Sequence, residues 1–161
     1  MTVVDVRKDL GAATLTFVAE FDAPPERVWK VWADPRQLER WWGPPTWPAT
    51  YTEHDFTEGG TSRYHMTGPD GTRAHGWLRF SAIDPPNSLE LTDGFADETG
   101  ANNPELPTST MRATFEAVGD GTRMTLVATY PSSEAMRMVL DMGMEEGMKG
   151  ALGQVDAVLA G

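Results

Sequence analysis

Three histidines (His54, His65 and His75) and four carboxylates (Glu53, Asp55, Glu90 and Asp93) fall where polar and apolar residues alternate. Histidines at strand spacing could hold a metal ion. A carboxylate in an apolar cavity could serve as an acid or base, with Arg63, Arg79 and Arg112 as charge partners. With a turn at Gly59-Gly60, His54 sits opposite His65. The "GPDG" turn then brings His75 nearer Tyr64 and facing the other way. Two histidines without a third ligand make a weak zinc site, so no metal is expected. Alternation alone leaves open which carboxylate points inward, and no catalytic residue is assigned. The chain has no G-x-S-x-G motif, phosphate loop or dinucleotide fingerprint, so no cofactor is expected either. Zero cysteines exclude disulfides, thiolate chemistry and Cys-ligated zinc.

A second group of chemistry-bearing residues is aromatic. "LERWWGPPTWPA", Leu38 to Ala49, sets Trp41, Trp42 and Trp47 among a glycine and three prolines. Asp34 is a good N-cap, Pro35 a good first helical residue, and Gln37 completes a capping-box spacing. The segment therefore reads as the end of a short helix and the turn leaving it, with Gly43 in a left-handed C′ position. On a helix Trp41 and Trp42 lie about 100° apart, so one is expected inward and the other outward. At least two of Trp41, Trp42, Trp47 and Trp77 are candidates to line a cavity, the others serving as core.

The elements that must position these residues follow from periodicity. "ATLTFVAEFD", Ala13 to Asp22, is the first expected strand, and "PPERVWKVWAD" a helix with an apolar face. From Ala49 the period changes to two. "TYTEHDF", "TSRYHMT", "TRAHGWLRFSAID", "SLELTDGF", "STMRATFEAV" and "TRMTLVATYP" read as antiparallel strands joined by tight turns. "ADETGANNPELPT" is a long loop and a candidate rim or lid. From Ser132 to about Leu159 the pattern is helical, capped by Ser132 or Ser133. The expected class is α+β: an antiparallel sheet of about seven strands, two short helices after the first, and one long C-terminal helix covering its apolar face.

That last helix carries glycines on its apolar stripe. Met136, Leu140, Gly143, Gly147, Ala151, Gln154 and Val158 share one face, with Gly150 at its edge. Each interior glycine costs about 1 kcal/mol against alanine. Close packing against the sheet would account for them, and so would a gap lined by methionine and aromatic rings. The stripe by itself favours close packing.

At 161 residues, 40% of them apolar and 23% charged, the chain is expected to form one domain over residues 1–161. No apolar run approaches the roughly 20 residues of a membrane span, and the N-terminus lacks a signal-peptide pattern. A cytoplasmic setting without membrane association is expected. The net charge of −11, with no basic cluster, argues against nucleic acid and anionic surfaces and favours an apolar or cationic small molecule. Oligomeric state is left open, a homodimer included.

"FDAPPERVWKVWADPRQLERWWGP", "FTEGGTSRYHMTGPDG", "DPPNSLELTDGF" and "MGMEEGMKGALGQV" occur in this order. Together they resemble the homologues of the activator of the heat-shock-protein-90 ATPase, a branch of the START-like (polyketide cyclase and lipid transport) superfamily. The resemblance runs from about Leu15 to Leu159. It implies a helix-grip fold with a cavity between curved sheet and C-terminal helix, and it turns the glycine stripe toward the cavity reading. The residues expected to line that cavity are Trp41, Trp47, Tyr64, Trp77, Phe95, Met111, Met136, Leu140, Gly143 and Gly147. The co-chaperones of this family carry a separate N-terminal domain, whereas only about a dozen residues precede the first expected strand here, an expectation against chaperone activation. The principal expectation is a binder of an apolar or aromatic small molecule. The alternatives are a cyclase- or hydrolase-type enzyme using the same cavity, and a chaperone-directed interaction protein. A buried carboxylate facing the cavity would favour the enzyme.

Overall fold

The computed structural model describes residues 3–161. An eight-stranded antiparallel sheet, in the order β1-β2-β8-β7-β6-β5-β4-β3, forms its frame. Its strands are β1 Val3–Asp9, β2 Thr14–Phe21, β3 Ala49–His54, β4 Thr61–Thr67, β5 Arg73–Asp84, β6 Ser88–Ala96, β7 Ser109–Val118 and β8 Gly121–Thr129. Leu15, Phe17, Ala19 and Phe21 of β2 are buried, and so are Met124, Leu126 and Ala128 of β8 and Met111, Ala113 and Phe115 of β7. This alternation gives the sheet one apolar face, which the helices cover.

β1 exceeds the sequence expectation. Its segment, VVDVRKD, is mostly exposed and charged, and it pairs only with β2. Such an edge strand lacks the alternation that marks a half-buried one, and its charges discourage further pairing.

α1 (Pro25–Ala33) and α2 (Pro35–Leu38) follow β2. Pro25 opens α1, which buries Val28, Trp29, Val31 and Trp32. The Asp34 carboxylate caps α2 by accepting from the Arg36 N–H, and Gln37 donates back to it at 3.2 Å. α2 stops at Leu38, so the tryptophan pair sits on a turn rather than on helix.

The C-terminal segment covers the sheet in three pieces, α3 (Ser133–Asp141), α4 (Met144–Leu152) and α5 (Val155–Ala160). The Ser132 hydroxyl caps α3 by accepting from the Ala135 N–H. The expected single long helix breaks at Gly143, whose φ of +90° and ψ of 22° no continuing helix adopts. A glycine takes this left-handed conformation at little cost. A second break falls at Gly153-Gln154.

Candidate functional site

The layers do not close evenly. Between the β4–β6 part of the sheet and the α3–α4 junction lies a cavity of about 350 Å³, partly open to solvent. Its walls are mainly aromatic and methionine side chains.

Strand parity puts the wall together. In β6, Leu89, Leu91, Asp93 and Phe95 alternate onto the inner face; Leu89 and Leu91 enter the core, Asp93 and Phe95 the cavity. Across the ladder Asp93 lies opposite Ser109 of β7 and Leu78 of β5, and Phe95 opposite Gly76. Gly76 must be glycine because the Tyr64 ring crosses it: a Cβ there would stand 2.4 Å from Tyr64 Cζ. Tyr64 itself stacks on Tyr51 with ring centroids 5.1 Å apart.

The tryptophan segment supplies the side wall. Trp32, Trp41 and Trp42 meet edge-to-face, with centroids 5.0–5.8 Å apart. Trp41 is fully buried, and its indole N–H donates to the Val31 carbonyl at 2.8 Å. Trp42 is buried too, so the expected inward–outward split does not occur; its ring continues the cluster to Tyr64 and the cavity. Gln154 ties the turn to the C-terminal segment, its amide donating to the carbonyls of Gly43 (2.6 Å) and Trp41 (3.3 Å). Gly43 is not left-handed. It is held to glycine by proximity, since a Cβ would sit 2.0 Å from the Trp47 carbonyl oxygen. That contact brings Trp47 over the cavity.

Of the residues expected from sequence, Trp47, Tyr64, Phe95, Gly143 and Gly147 line the cavity. Trp41, Met111 and Met136 lie in the packed core, and Leu140 packs against that core. Trp77 is on the opposite face of the sheet, folded over Gly94, with its N–H donating to the Phe95 carbonyl at 3.2 Å. The cavity adds residues outside that set, notably Trp42, Met66, Asp93, Ser109, Tyr130, Met144 and Met148. The signal for Asp93 was available, because it shares parity with Phe95 two residues on. The Gly- and Asn-rich loop after β6 contributes Pro107 to the rim, and the Arg63 guanidinium holds its tip by donating to the Gly100 carbonyl at 2.6 Å.

Asp93 is the one carboxylate on the wall, and no Lys, Arg or His lines it among the described residues. The Tyr64 hydroxyl donates to its Oδ1 at 3.2 Å. Burial among apolar side chains pushes the Asp93 pKa up to about 7, against the opposing pull of the Tyr64 and Gly94 donors. Burial, reinforced by Asp93, likewise raises Tyr64 well above the usual phenol range and Tyr130 to about 12. The Tyr130 hydroxyl is buried without a hydrogen-bond partner.

The histidines do not converge here. His65 pairs with His75 rather than with His54, their rings 5.7 Å apart. His54 pairs with Ser62, whose hydroxyl is 2.6 Å from Nδ1. The hairpin turns around Glu58 rather than at Gly59-Gly60, which puts His54 three residues short of His65.

Sheet, covering C-terminal helices and intervening cavity together define a START-like helix-grip protein. Residues 22–160 match the profile described as "Activator of Hsp90 ATPase homolog 1-like protein", and the chain belongs to that family. It is similar to an Arthrobacter aurescens protein solved by NMR, with 55% identity, TM-score 0.95, and 99% of this chain and 92% of that one covered. It is also similar to protein Ms6760 of Mycobacterium smegmatis, at 51% identity and TM-score 0.90, covering 98% and 96% of the two chains. A Staphylococcus epidermidis protein shares the fold at 25% identity and TM-score 0.84, covering 98% and 94%. None of the curated proteins compared with it matches. No helix among the described residues is long and apolar enough to cross a membrane.

Proposed function

We propose that the protein binds an apolar or aromatic small molecule in the cavity between the sheet and the α3–α4 junction. One observation carries this reading: a volume of about 350 Å³, walled mainly by aromatic rings and methionines, is bordered by a helix residue, Gly147, at which a Cβ would meet nothing within 4 Å. The volume falls in the range of small-molecule sites, and flexible thioethers adapt to varied shapes. The cysteine-free composition supports a cytoplasmic setting. Gly147→Leu tests the proposal. The added side chain enters the cavity and improves helix propensity, so the variant should fold with unreduced Tm and lose binding of 2-(2-naphthyl)ethanol by calorimetry. Unchanged binding in the folded variant would refute the site.

A second reading has its own observation. A cavity carboxyl that titrates near neutral pH can give or take a proton, which favours a cyclase- or hydrolase-type enzyme. Mass spectrometry of any molecule carried through purification distinguishes the two readings. In the enzyme reading that molecule changes mass on incubation with the wild-type chain and not with Asp93→Asn.

A further inference from the structure

Resting on that binding site, we propose that its ligands are amphipathic amines, with a protonated nitrogen on the Asp93 carboxylate and an apolar or aromatic body against the methionine-lined side. Asp93 faces the cavity from the middle of the sheet and receives one side-chain hydrogen bond, from Tyr64. A carboxylate offers about four acceptor positions, and with the Tyr64 hydroxyl and the Gly94 N–H taking two, about half remain for a ligand. Among the described residues the wall supplies no counter-charge: every other lining side chain is neutral at ordinary pH. An ammonium group would provide the missing charge in a place where water does so poorly, and a charge-assisted bond there is stronger than a neutral one. Trp42, Trp47 and Phe95 line the same wall, and aromatic rings attract a cation. A net charge of −11 draws cations toward the mouth.

The same arrangement discriminates. A fatty acid or other carboxylate would set a second negative charge beside Asp93 and force one of the two to hold a proton. A neutral alcohol would bind through its apolar body with no preference of this kind.

The titrating neighbours of Asp93 are few. Tyr64 comes from β4, Tyr51 from β3 and Tyr130 from the end of β8, and burial moves all three upward, away from neutrality. His54 lies behind Tyr51, their rings 5.9 Å apart, with its pKa lowered by burial. The helices contribute no charged side chain to the wall. Asp93 is thus the group that switches the preference, off when protonated and on when ionised.

Calorimetric titration with three probes of matched size tests this: 2-(2-naphthyl)ethylamine, 2-(2-naphthyl)ethanol and 2-naphthylacetate. At about pH 8 the amine should bind about tenfold tighter than the alcohol and the acetate weakest. At about pH 5.5 the amine's advantage should vanish while the alcohol holds its affinity. Asp93→Asn should erase the amine's preference over the alcohol at pH 8 and remove its pH dependence, and the wild-type pH series tests the same point without a substitution. Alcohol binding with no amine preference at pH 8, or a preference that survives Asp93→Asn, overturns the amine proposal and leaves the cavity reading standing. Binding of none of the probes overturns both.

Discussion

Gly147 and Gly150 sit one turn apart on α4 and meet opposite surroundings. A Cβ on Gly150 would stand 3.3 Å from the Pro45 ring, whereas one on Gly147 would touch nothing within 4 Å. The contrast extends to the whole interior. Around Trp32 and Trp41 the layers interlock, with both indoles fully buried and Trp41 hydrogen-bonded to Val31. Around Asp93 and Trp47 they stand apart and leave the cavity. A small residue on a helix therefore has two physical meanings, close approach or vacated space. What faces it across the layer decides between them.

The largest effect expected from this contrast is on the tryptophan pair. Trp41→Ala should cost about 3–5 kcal/mol in urea unfolding, as for a fully buried aromatic. Trp42→Ala should cost less, because its ring borders space already open, and it should change probe binding as well. Equal losses for both would mean that the packed and hollow regions are one continuous core.

Next in size is the effect of pH. Asp93 holds its proton to about pH 7 in the folded chain, whereas an unfolded aspartate releases it near pH 4. Between those values the folded state binds the extra proton, so this group's contribution to stability falls as pH rises through the window and is flat above it. Asp93→Asn should then be more stable than wild type at pH 8, by at most about 4 kcal/mol and less where water in the open cavity screens the charge. Near pH 4 the two should coincide. Wild-type and variant urea midpoints that differ equally at both pH values would place Asp93 in an ordinary solvated environment.

The smallest effect sharpens the glycine comparison directly. Gly147→Ala should raise stability by about 1 kcal/mol through helix propensity alone. Gly150→Ala should gain less or lose, since the stiff Pro45 ring must yield. Matching gains in thermal melts would show that the Pro44-Pro45 turn does not press on α4.

Most of the frame was legible from periodicity: the run of six strands from Ala49, the Asp34 and Ser132 caps, and the apolar stripe of the C-terminal segment. β1 was not, because an exposed edge strand carries no alternation to read. The site was legible in half. Trp47, Tyr64 and Phe95 follow from the cavity that the resemblance implies, whereas Asp93, on the same face as Phe95, is not singled out because charged strand residues usually face water. Trp77 points the other way because it alternates with the buried Leu78, and it covers Gly94, a pairing between neighbouring strands that depends on register. The helix break has a similar cause: Gly143 lies on the expected stripe, and only its left-handed backbone ends α3.

The order of the strands has a consequence for how the chain comes to be folded. β2, near the start, is flanked in the sheet by β1 and by β8, the last strand made. During synthesis its inner edge stays unpaired until β8, about a hundred residues later, has left the ribosome. Pairings so distant in sequence must meet a large loop-closure entropy before they return any contact energy, which places such topologies among the slower folders, in about the millisecond-to-second range. The cap formed by α3–α5 follows β8 in the chain, so the hollow beneath it is completed last of all.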